Sequence, residues 1–259
     1  MFKAYDLKIT ERAFTEKFPG FSALDFKVSR ALQKSSLDAA VESLLSLDAT
    51  EIHKMWFRDS QIDVFLSHSS RDGALAKMFG AYLQKTFGLD VFIDSEAWHH
   101  MDEMLKALDE KYCVRKRNLD GTAKTYSYEN RNVTTSHVHM ILSHALTKMI
   151  DNAECFIYLN TLNSTTHQDD NSIETASPWL FHELIIVGFI EEKPPQPILE
   201  NFTCDSAANR TYGPTIKYSV EPKRLIPLTL DNIKMWETRF LKQATSDRIN
   251  SLGCLYGSV

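Results

Sequence analysis

The sequence predicts an α/β fold in which helices cover both faces of a parallel sheet. Three short apolar runs, at residues 64–66, 91–93 and 155–159, are rich in β-branched and aromatic residues and are bounded by polar ones. Such runs are typical of strands that are buried on both faces of a parallel sheet. Between the first two, apolar residues recur with a helical period at Leu75, Met78, Phe79, Tyr82 and Leu83. Strand, helix and strand at this spacing predict a right-handed parallel unit.

Composition places the chain among ordinary globular proteins. It has 259 residues, 43% hydrophobic and 24% charged, enough for one large domain or a domain with an extension. The formal net charge of -5 gives no electrostatic reason to expect nucleic acid as a partner. We expect no membrane association either, because no apolar stretch approaches the roughly 20 residues of a span and the amino terminus does not resemble a secretory signal. The four cysteines are dispersed, which favours a reducing cytoplasm over a disulfide framework or a zinc knuckle.

Residues 1–58 precede the predicted sheet. Apolar residues recur at helical spacing over residues 21–32 and again over residues 37–45, with a break near residues 34–36. This pattern predicts a helical N-terminal extension that packs onto a main domain at residues 59–259. The extension is either a structural cap or oligomerisation arm, or a separate functional module, which at this size would be marginally stable alone.

The remaining elements follow in order. After the strand at 91–93 we expect a helix through Leu108 and then an insertion at residues 113–134, whose Asp120-Gly121 pair marks the tight turn of a two-stranded excursion. The basic residues of this insertion face solvent or contact the phosphates of a ligand. A helix with its apolar face at residues 138–150, the strand at 155–159 and a polar loop to residue 176 come next. Ser177 and Pro178 open another helix, and a strand at 225–228 precedes a last helix capped by Asp231.

A polar turn, residues 67–70, connects the first strand to its helix. In an open α/β sheet such a turn lies at the carboxyl edge of the strands, where ligands bind. Ser67, His68 and Ser69 are therefore the first candidates for site residues.

Glu183 is the second candidate, because it lies in the middle of a helix that is apolar nearly all round. An ionised glutamate there is costly unless it is paired or faces a cavity. It is either a site carboxylate or a structural one that bridges to a lysine or to the backbone. Trp179 lies four residues earlier, on the same face of the helix.

Three motifs occur in the order found in a Toll/interleukin-1 receptor (TIR) domain, which residues 60–245 resemble. They are D-V-F-L-S-H-S-S-R-D from Asp63, V-F-I-D from Val91 and S-P-W-L-F-H-E-L from Ser177. The resemblance implies a flavodoxin-like, doubly wound parallel sheet of five strands. It also implies that Glu183 matches the glutamate with which enzymatic TIR domains cleave NAD+. The sequence departs from the family where residues 95–100 replace a glycine-containing loop, and where the insertion at 113–134 exceeds that of a minimal TIR domain.

The function that this resemblance implies is cleavage of the nicotinamide–ribose bond of NAD+, as in bacterial anti-phage systems such as Thoeris. The product is then ADP-ribose, a cyclic isomer or a conjugate, made as a signal for a downstream effector. NAD+ is the substrate, and no other cofactor is expected. Nicotinamide leaves as a neutral molecule without a general acid, so one carboxylate, Glu183, suffices. The substrate-binding residues expected around it are Ser67, His68, Ser69, Asp94, Trp98 and Trp179, with the tryptophans as stacking or wall residues.

Self-association is a further expectation. Trp98, His99 and His100 are expected on a loop beside the site, and aromatic residues are enriched in interface cores. TIR domains commonly complete or open their site by packing against a neighbour at this loop, so residues 94–100 are expected to control assembly into an active homo-oligomer. The alternative is that Trp98 packs inward onto Leu105 and Leu108.

Other classes of function stay open. One is a non-catalytic TIR scaffold or adaptor that signals by assembly alone, and another is an enzyme similar to nucleoside deoxyribosyltransferases, which share the doubly wound architecture and a catalytic glutamate. A metal site is not expected, because His137 and His139 lie two residues apart on a helix and face different ways.

Overall fold

The computed structural model describes residues 3–29, 62–119, 121, 123–167, 173–192, 218–220, 224–243 and 248–257. Within these ranges the strands are β1 (Lys3–Lys8), β2 (Ile62–Ser67), β3 (Val91–Ile93), β4 (Val114–Arg117), β5 (Ala123–Tyr126), β6 (Ala153–Asn160), β7 (Thr166–His167), β8 (Ile173–Thr175), β9 (Tyr218–Val220) and β10 (Ile226–Leu228). The helices are α1 (Glu11–Lys17), α2 (Gly73–Phe87), α3 (Asp94–Leu108), α4 (Tyr128–Asn152), α5 (Pro178–Phe189), α6 (Leu230–Leu241) and α7 (Arg248–Tyr256). Short 3-10 turns lie at Ala23–Asp25 and Ser70–Asp72, and a π-helical turn at Asp109–Cys113.

A parallel sheet with the order β10-β1-β6-β2-β3 forms the centre of the fold. Its core strands carry the apolar runs that the sequence shows, and every residue of β2 is buried. Phe65 of β2 lies between Phe92 of β3 and Phe156 of β6, with ring centroids 5.2 and 5.6 Å apart. The predicted α/β class with a parallel sheet is therefore confirmed.

Helices in the connections between parallel strands cover both faces of the sheet. The crossovers from β1 to β2 and from β2 to β3 run one way along the sheet, and those from β3 to β6 and from β6 to β10 run the other way. Because such crossovers are right-handed, the two sets of helices lie on opposite faces. On one face, Phe14 of α1 packs against Phe79 and Tyr82 of α2, and Phe87 of α2 stacks on Trp236 of α6 at 3.9 Å. On the other, α4 packs between α3 and α5.

The N-terminal segment differs from its prediction. Lys3–Lys8 is a strand rather than part of a helical extension, and it pairs with both β6 and β10, with Tyr5 opposite Ile157 and Ile226. Ala4, Tyr5 and Leu7 are buried in the core that the sheet shares with its helices. Where a helix was expected over residues 21–32, the described part, residues 21–29, contains one 3-10 turn, Ala23–Asp25. Residues 30–32 and the helix expected over residues 37–45 lie outside the described residues.

The strand order is compatible with a flavodoxin-like sheet. With β1 set aside, the other strands run β3-β2-β6-β10, which follows the second-first-third sequence of the flavodoxin-like order. The amino-terminal strand β1 occupies the place between the third strand and the last. In such sheets ligands bind at the carboxyl ends of the strands where the chain changes direction, which here is between β2 and β6.

The predicted two-stranded excursion is present as the antiparallel hairpin of β4 and β5. Gly121, with φ +85°, lies in its turn, where a left-handed backbone favours glycine. Helix α4 begins at Tyr128, so the later part of the predicted insertion is helical. Arg115 pairs with Glu129 at 2.7 Å and Arg117 with Glu110 at 3.5 Å, which favours the surface interpretation of the basic residues over phosphate binding.

The C-terminal elements are close to the prediction. Ser177 caps α5 by accepting from the Leu180 amide, and Pro178 occupies the first turn, as expected. The polar loop before it contains β7 and β8, which form a small antiparallel sheet with β9. Thr229, not Asp231, caps α6, because its hydroxyl and the side chain of Asn232 satisfy each other's backbone amides. None of the described helices is long and apolar enough to cross a membrane.

Candidate active site

Four polar side chains meet at the carboxyl edge of the sheet, and we call them the Glu183 cluster: Ser67, His68, Asp94 and Glu183. The Ser67 hydroxyl donates a hydrogen bond of 2.6 Å to Oε2 of Glu183. Nδ1 of His68 lies 2.7 Å from Oδ1 of Asp94. The Asp94 carboxyl in turn lies within hydrogen-bonding reach of the Glu183 carboxyl. The cluster is thus a continuous chain from Ser67 through Glu183 and Asp94 to His68.

Strand register explains why Ser67 and Asp94 are neighbours. Leu66 of β2 pairs with Ile93 of β3, so the residues that follow them leave the sheet side by side. Helix α5 supplies the third member by burying Leu180, Leu184 and Val187 against the core, which carries Glu183 inward with them. The apolar character of α5 that made Glu183 conspicuous is therefore also what drives it into the cluster.

The cluster is almost completely removed from solvent. Glu183 has 0% of its surface exposed, Ser67 0%, His68 3% and Asp94 5%. Burial raises the pKa of the Glu183 carboxyl well above its usual range, and the negative charge of Asp94 raises it further, against the lowering effect of the Ser67 hydrogen bond. Burial and the charge of Asp94 therefore both favour the protonated form of the Glu183 carboxyl.

Comparisons of the chain with protein-family models, curated proteins and solved structures find no match.

Ser67, His68 and Asp94 were all expected near Glu183, and the structure brings the four side chains together. Ser67 and His68 are buried there, because α5 and α3 bring Glu183 and Asp94 onto them. The expected chemistry used one carboxylate, Glu183, and the structure places the carboxyl of Asp94 against it. The substrate-binding roles of Ser67, His68 and Asp94 stay predictions.

The segment after Asp94 is the helix that its apolar pattern predicted, and not the loop that was expected to carry Trp98 beside the site. Helix α3 begins at Asp94 itself and continues to Leu108, a stretch without glycine or proline to interrupt it. The Trp98 side chain lies outside the described residues, so its predicted roles in the site and in assembly stay predictions.

Ser69 and Trp179 lie in other surroundings. The Ser69 side chain accepts from the Arg71 amide and its carbonyl from the Asp72 amide, so it caps the 3-10 turn. The Trp179 ring is half-buried and lies against His139 of α4 at 5.4 Å and His182 at 6.5 Å. The substrate-binding roles of Ser69 and Trp179 stay predictions.

The loop after β6 is fastened to the turn that carries His68. Asp72 accepts hydrogen bonds of 2.5 Å from the Thr161 hydroxyl and 2.7 Å from the Asn163 amide. Thr161 also lines a cavity of about 360 Å³ at the carboxyl ends of β1 and β6, whose wall includes Lys8, Thr10 and Asn160. Because β6 is the neighbour of β2, this cavity opens one strand away from the cluster, on the same edge of the sheet.

In the part of the chain that the structure describes, no group of three or more histidine, cysteine, aspartate or glutamate side chains is arranged to hold a metal ion. The chemistry available to the cluster is that of a buried carboxylate pair. Once ionised, such a pair stabilises a positive charge strongly, since little water screens it.

Proposed function

We propose that this protein is a TIR-like enzyme that cleaves the nicotinamide–ribose bond of NAD+. The observation that supports this most directly is the fully buried Glu183, held by Ser67 at the carboxyl edge of the sheet beside the change in chain direction. The three TIR-like motifs support the proposal as well. They form β2, β3 and α5, and the polar residues at the ends of these elements meet at one point. We infer from this that the motifs act together rather than as separate structural features.

Cleavage of the nicotinamide–ribose bond is assisted by a negative charge on the protein and needs no general acid. The C1′–N bond breaks, its electron pair neutralises the pyridinium nitrogen, and an oxocarbenium-like ribose remains. An ionised Glu183 beside C1′ stabilises that cation, and Ser67 holds the carboxylate in place. A bound pyridinium favours the ionised form of Glu183, and so opposes the effect of burial on the pKa of this carboxyl.

Access to the cluster requires movement. With Glu183 and Ser67 completely buried, a ribose reaches the carboxylate only after neighbouring groups shift. The rest of a dinucleotide has room along the same sheet edge, where the cavity beside β6 lies.

Replacing Asp94 tests whether its charge raises the pKa of Glu183. In the D94N variant the neighbouring negative charge is removed, so the pKa of Glu183 falls and the carboxylate stays ionised at lower pH. We expect the acid limb of the kcat/KM profile for nicotinamide release to move to lower pH than in the parent protein, whatever the height of its plateau. An acid limb that stays in place, or moves to higher pH, would show that Asp94 does not control the proton on Glu183.

A second candidate function gains support from Asp94. Cleavage of a deoxynucleoside releases a neutral base only if an acid protonates the base, and the deoxyribose needs a nucleophile. A protonated carboxyl beside an ionised one supplies both the acid and the nucleophile. The chain would then be similar to nucleoside deoxyribosyltransferases.

The experiment that separates these functions is incubation of the purified chain with NAD+, and separately with deoxyadenosine and free cytosine, followed by mass spectrometry. The proposal expects nicotinamide with ADP-ribose, a cyclic isomer or a conjugate. Deoxycytidine from the second mixture would instead establish the transferase. Absence of turnover in both, with and without phage-infected cell extract, would favour a scaffold that signals by assembly.

Self-association and defence belong to the same proposal. We infer that the protein acts in the cytoplasm as a homo-oligomer in anti-phage defence, and that its nucleotide product reaches a downstream effector. Activity per molecule is then expected to fall on dilution together with the mass seen by light scattering. A monomer whose activity per molecule is constant on dilution would contradict this part of the proposal.

A further inference from the structure

We propose that His68 and Asp94 form a general-base dyad that deprotonates the hydroxyl acceptor, water or an alcohol, which replaces nicotinamide on the ribose. This inference rests on the proposed function and concerns the second half of the reaction. His68 would act as the catalytic base and Asp94 as the residue that positions it.

The geometry of the imidazole carries the inference. Nδ1 of His68 lies 2.7 Å from Oδ1 of Asp94, a short contact without the alignment of a full hydrogen bond, as is common in catalytic groups before substrate binds. A carboxylate on Nδ1 fixes that nitrogen as the protonated one and leaves the lone pair on Nε2. Nε2 is buried and has no hydrogen-bond partner among the residues that the structure describes.

An unpartnered basic nitrogen is costly in a buried site unless a ligand satisfies it. Nε2 lies beside Gly73, where an added Cβ would stand 3.8 Å away, at the first residue of the 15-residue helix α2. Among the described residues, Nε2 is the only atom within 4 Å of that Cβ position, so the backbone of Gly73 leaves room beside the ring. A hydroxyl in this position would donate its proton to the Nε2 lone pair.

Asp94 connects this base to the bond that breaks. The same carboxyl contacts Glu183 on one side and His68 on the other, so the acceptor and the ribose cation are held by one network. Ser67 completes it from the other side of Glu183. When the imidazole becomes charged, Asp94 stabilises it, as the aspartate does in a hydrolase triad.

The step balances without any further reagent. Nicotinamide leaves with the C1′–N electron pair, the acceptor oxygen forms the new bond to C1′, and the acceptor proton moves to Nε2. His68 then returns this proton to solvent, so NAD+ and water give ADP-ribose, nicotinamide and one proton.

A pyridine acceptor distinguishes the base from the rest of the site. The nitrogen of 3-acetylpyridine attacks C1′ without losing a proton, so exchange of nicotinamide for 3-acetylpyridine needs Glu183 but no base. Hydrolysis needs both. We therefore measure the ratio of exchange to hydrolysis in the parent and in H68N, which keeps a polar atom near Asp94 but lacks Nε2.

We expect this ratio to rise at least about tenfold in H68N, a cautious value because positioned bases contribute about 10² to 10⁴. H68Q, which has no basic nitrogen, is expected to behave in the same way and serves if H68N does not fold. H182N is the matched control: His182 is the residue before Glu183, its ring faces Thr147 and the Ser143 carbonyl, and its replacement should leave the ratio unchanged.

A solvent isotope effect, measured on the parent protein, tests the proposal without any variant that could fail to fold. If proton transfer to His68 accompanies acceptor attack, hydrolysis slows relative to exchange when water is replaced by D2O. An equal fall of exchange and hydrolysis in the His68 variants, or a parent ratio that is the same in both solvents, would overturn the dyad while leaving NAD+ cleavage intact. A parent that catalyses neither reaction would overturn the proposed function itself.

Discussion

Replacing Glu183 with glutamine is expected to lower the rate of NAD+ cleavage by at least about 10², the effect of removing one electrostatic stabiliser of a transition state. Glutamine has the shape of the protonated glutamate. Its amide oxygen accepts from the Ser67 hydroxyl, and its amide nitrogen replaces the carboxyl O–H as the donor toward Asp94. The measurement is nicotinamide release by the folded variant, with E154Q as control, because Glu154 is also buried but lies at the opposite end of β6.

The same variant is expected to be more stable than the parent at alkaline pH. The folded pKa of Glu183 is raised above its usual 4.5, so ionisation destabilises the parent as the pH rises from about 4.5 through the raised value. Glutamine does not titrate, so the melting temperature of E183Q should exceed that of the parent increasingly across this range and approach it below. Normal NAD+ cleavage by the folded variant would remove Glu183 from the mechanism. A stability difference independent of pH would contradict the raised pKa of the buried Glu183 carboxyl.

The second large effect is expected at the amino terminus. Leu7 is completely buried in β1, between β6 and β10, so L7A should lower the free energy of unfolding by about 2 to 5 kcal/mol. The loss combines the removed apolar contacts with the cavity that remains. Chemical denaturation followed by circular dichroism measures it.

L24A provides the matched control. Leu24 is in the same N-terminal segment but is 95% exposed, so the same truncation should change the free energy of unfolding by no more than about 0.5 kcal/mol. Two variants of nearly equal stability would mean that β1 does not pair in the sheet in solution and that the segment is a separable extension after all.

Apolar runs made the core strands predictable, whereas β1 lacked such a signal. The stretches around Phe65, Phe92 and Phe156 contain several buried apolar residues in succession, which marks a strand covered on both faces. In β1, by contrast, Asp6 interrupts the apolar residues and lysines stand at both ends. Its position in the sheet depends on pairing with β6 and β10, which lie far along the chain and leave no local pattern in residues 3–8.

The sequence indicated which residues belong to the candidate site, but not which of them contact each other. Glu183 stood out because a charge is costly in an apolar helix, and Ser67 and His68 because they end a buried strand. The meeting of Asp94 with Glu183 depends on how α5 packs over the sheet edge, which sequence spacing does not specify.

The place of β1 in the sheet has a consequence for synthesis of the chain. Tyr5 leaves the ribosome long before its partner Ile157, and Ile226 follows later still. Until then β1 has two unpaired edges and an uncovered apolar face, a state prone to aggregation. Pairing across such sequence separations gives the domain a high contact order, for which folding is slow. The nascent chain is therefore expected to complete its sheet only after β10 emerges, and to depend on chaperones until it does.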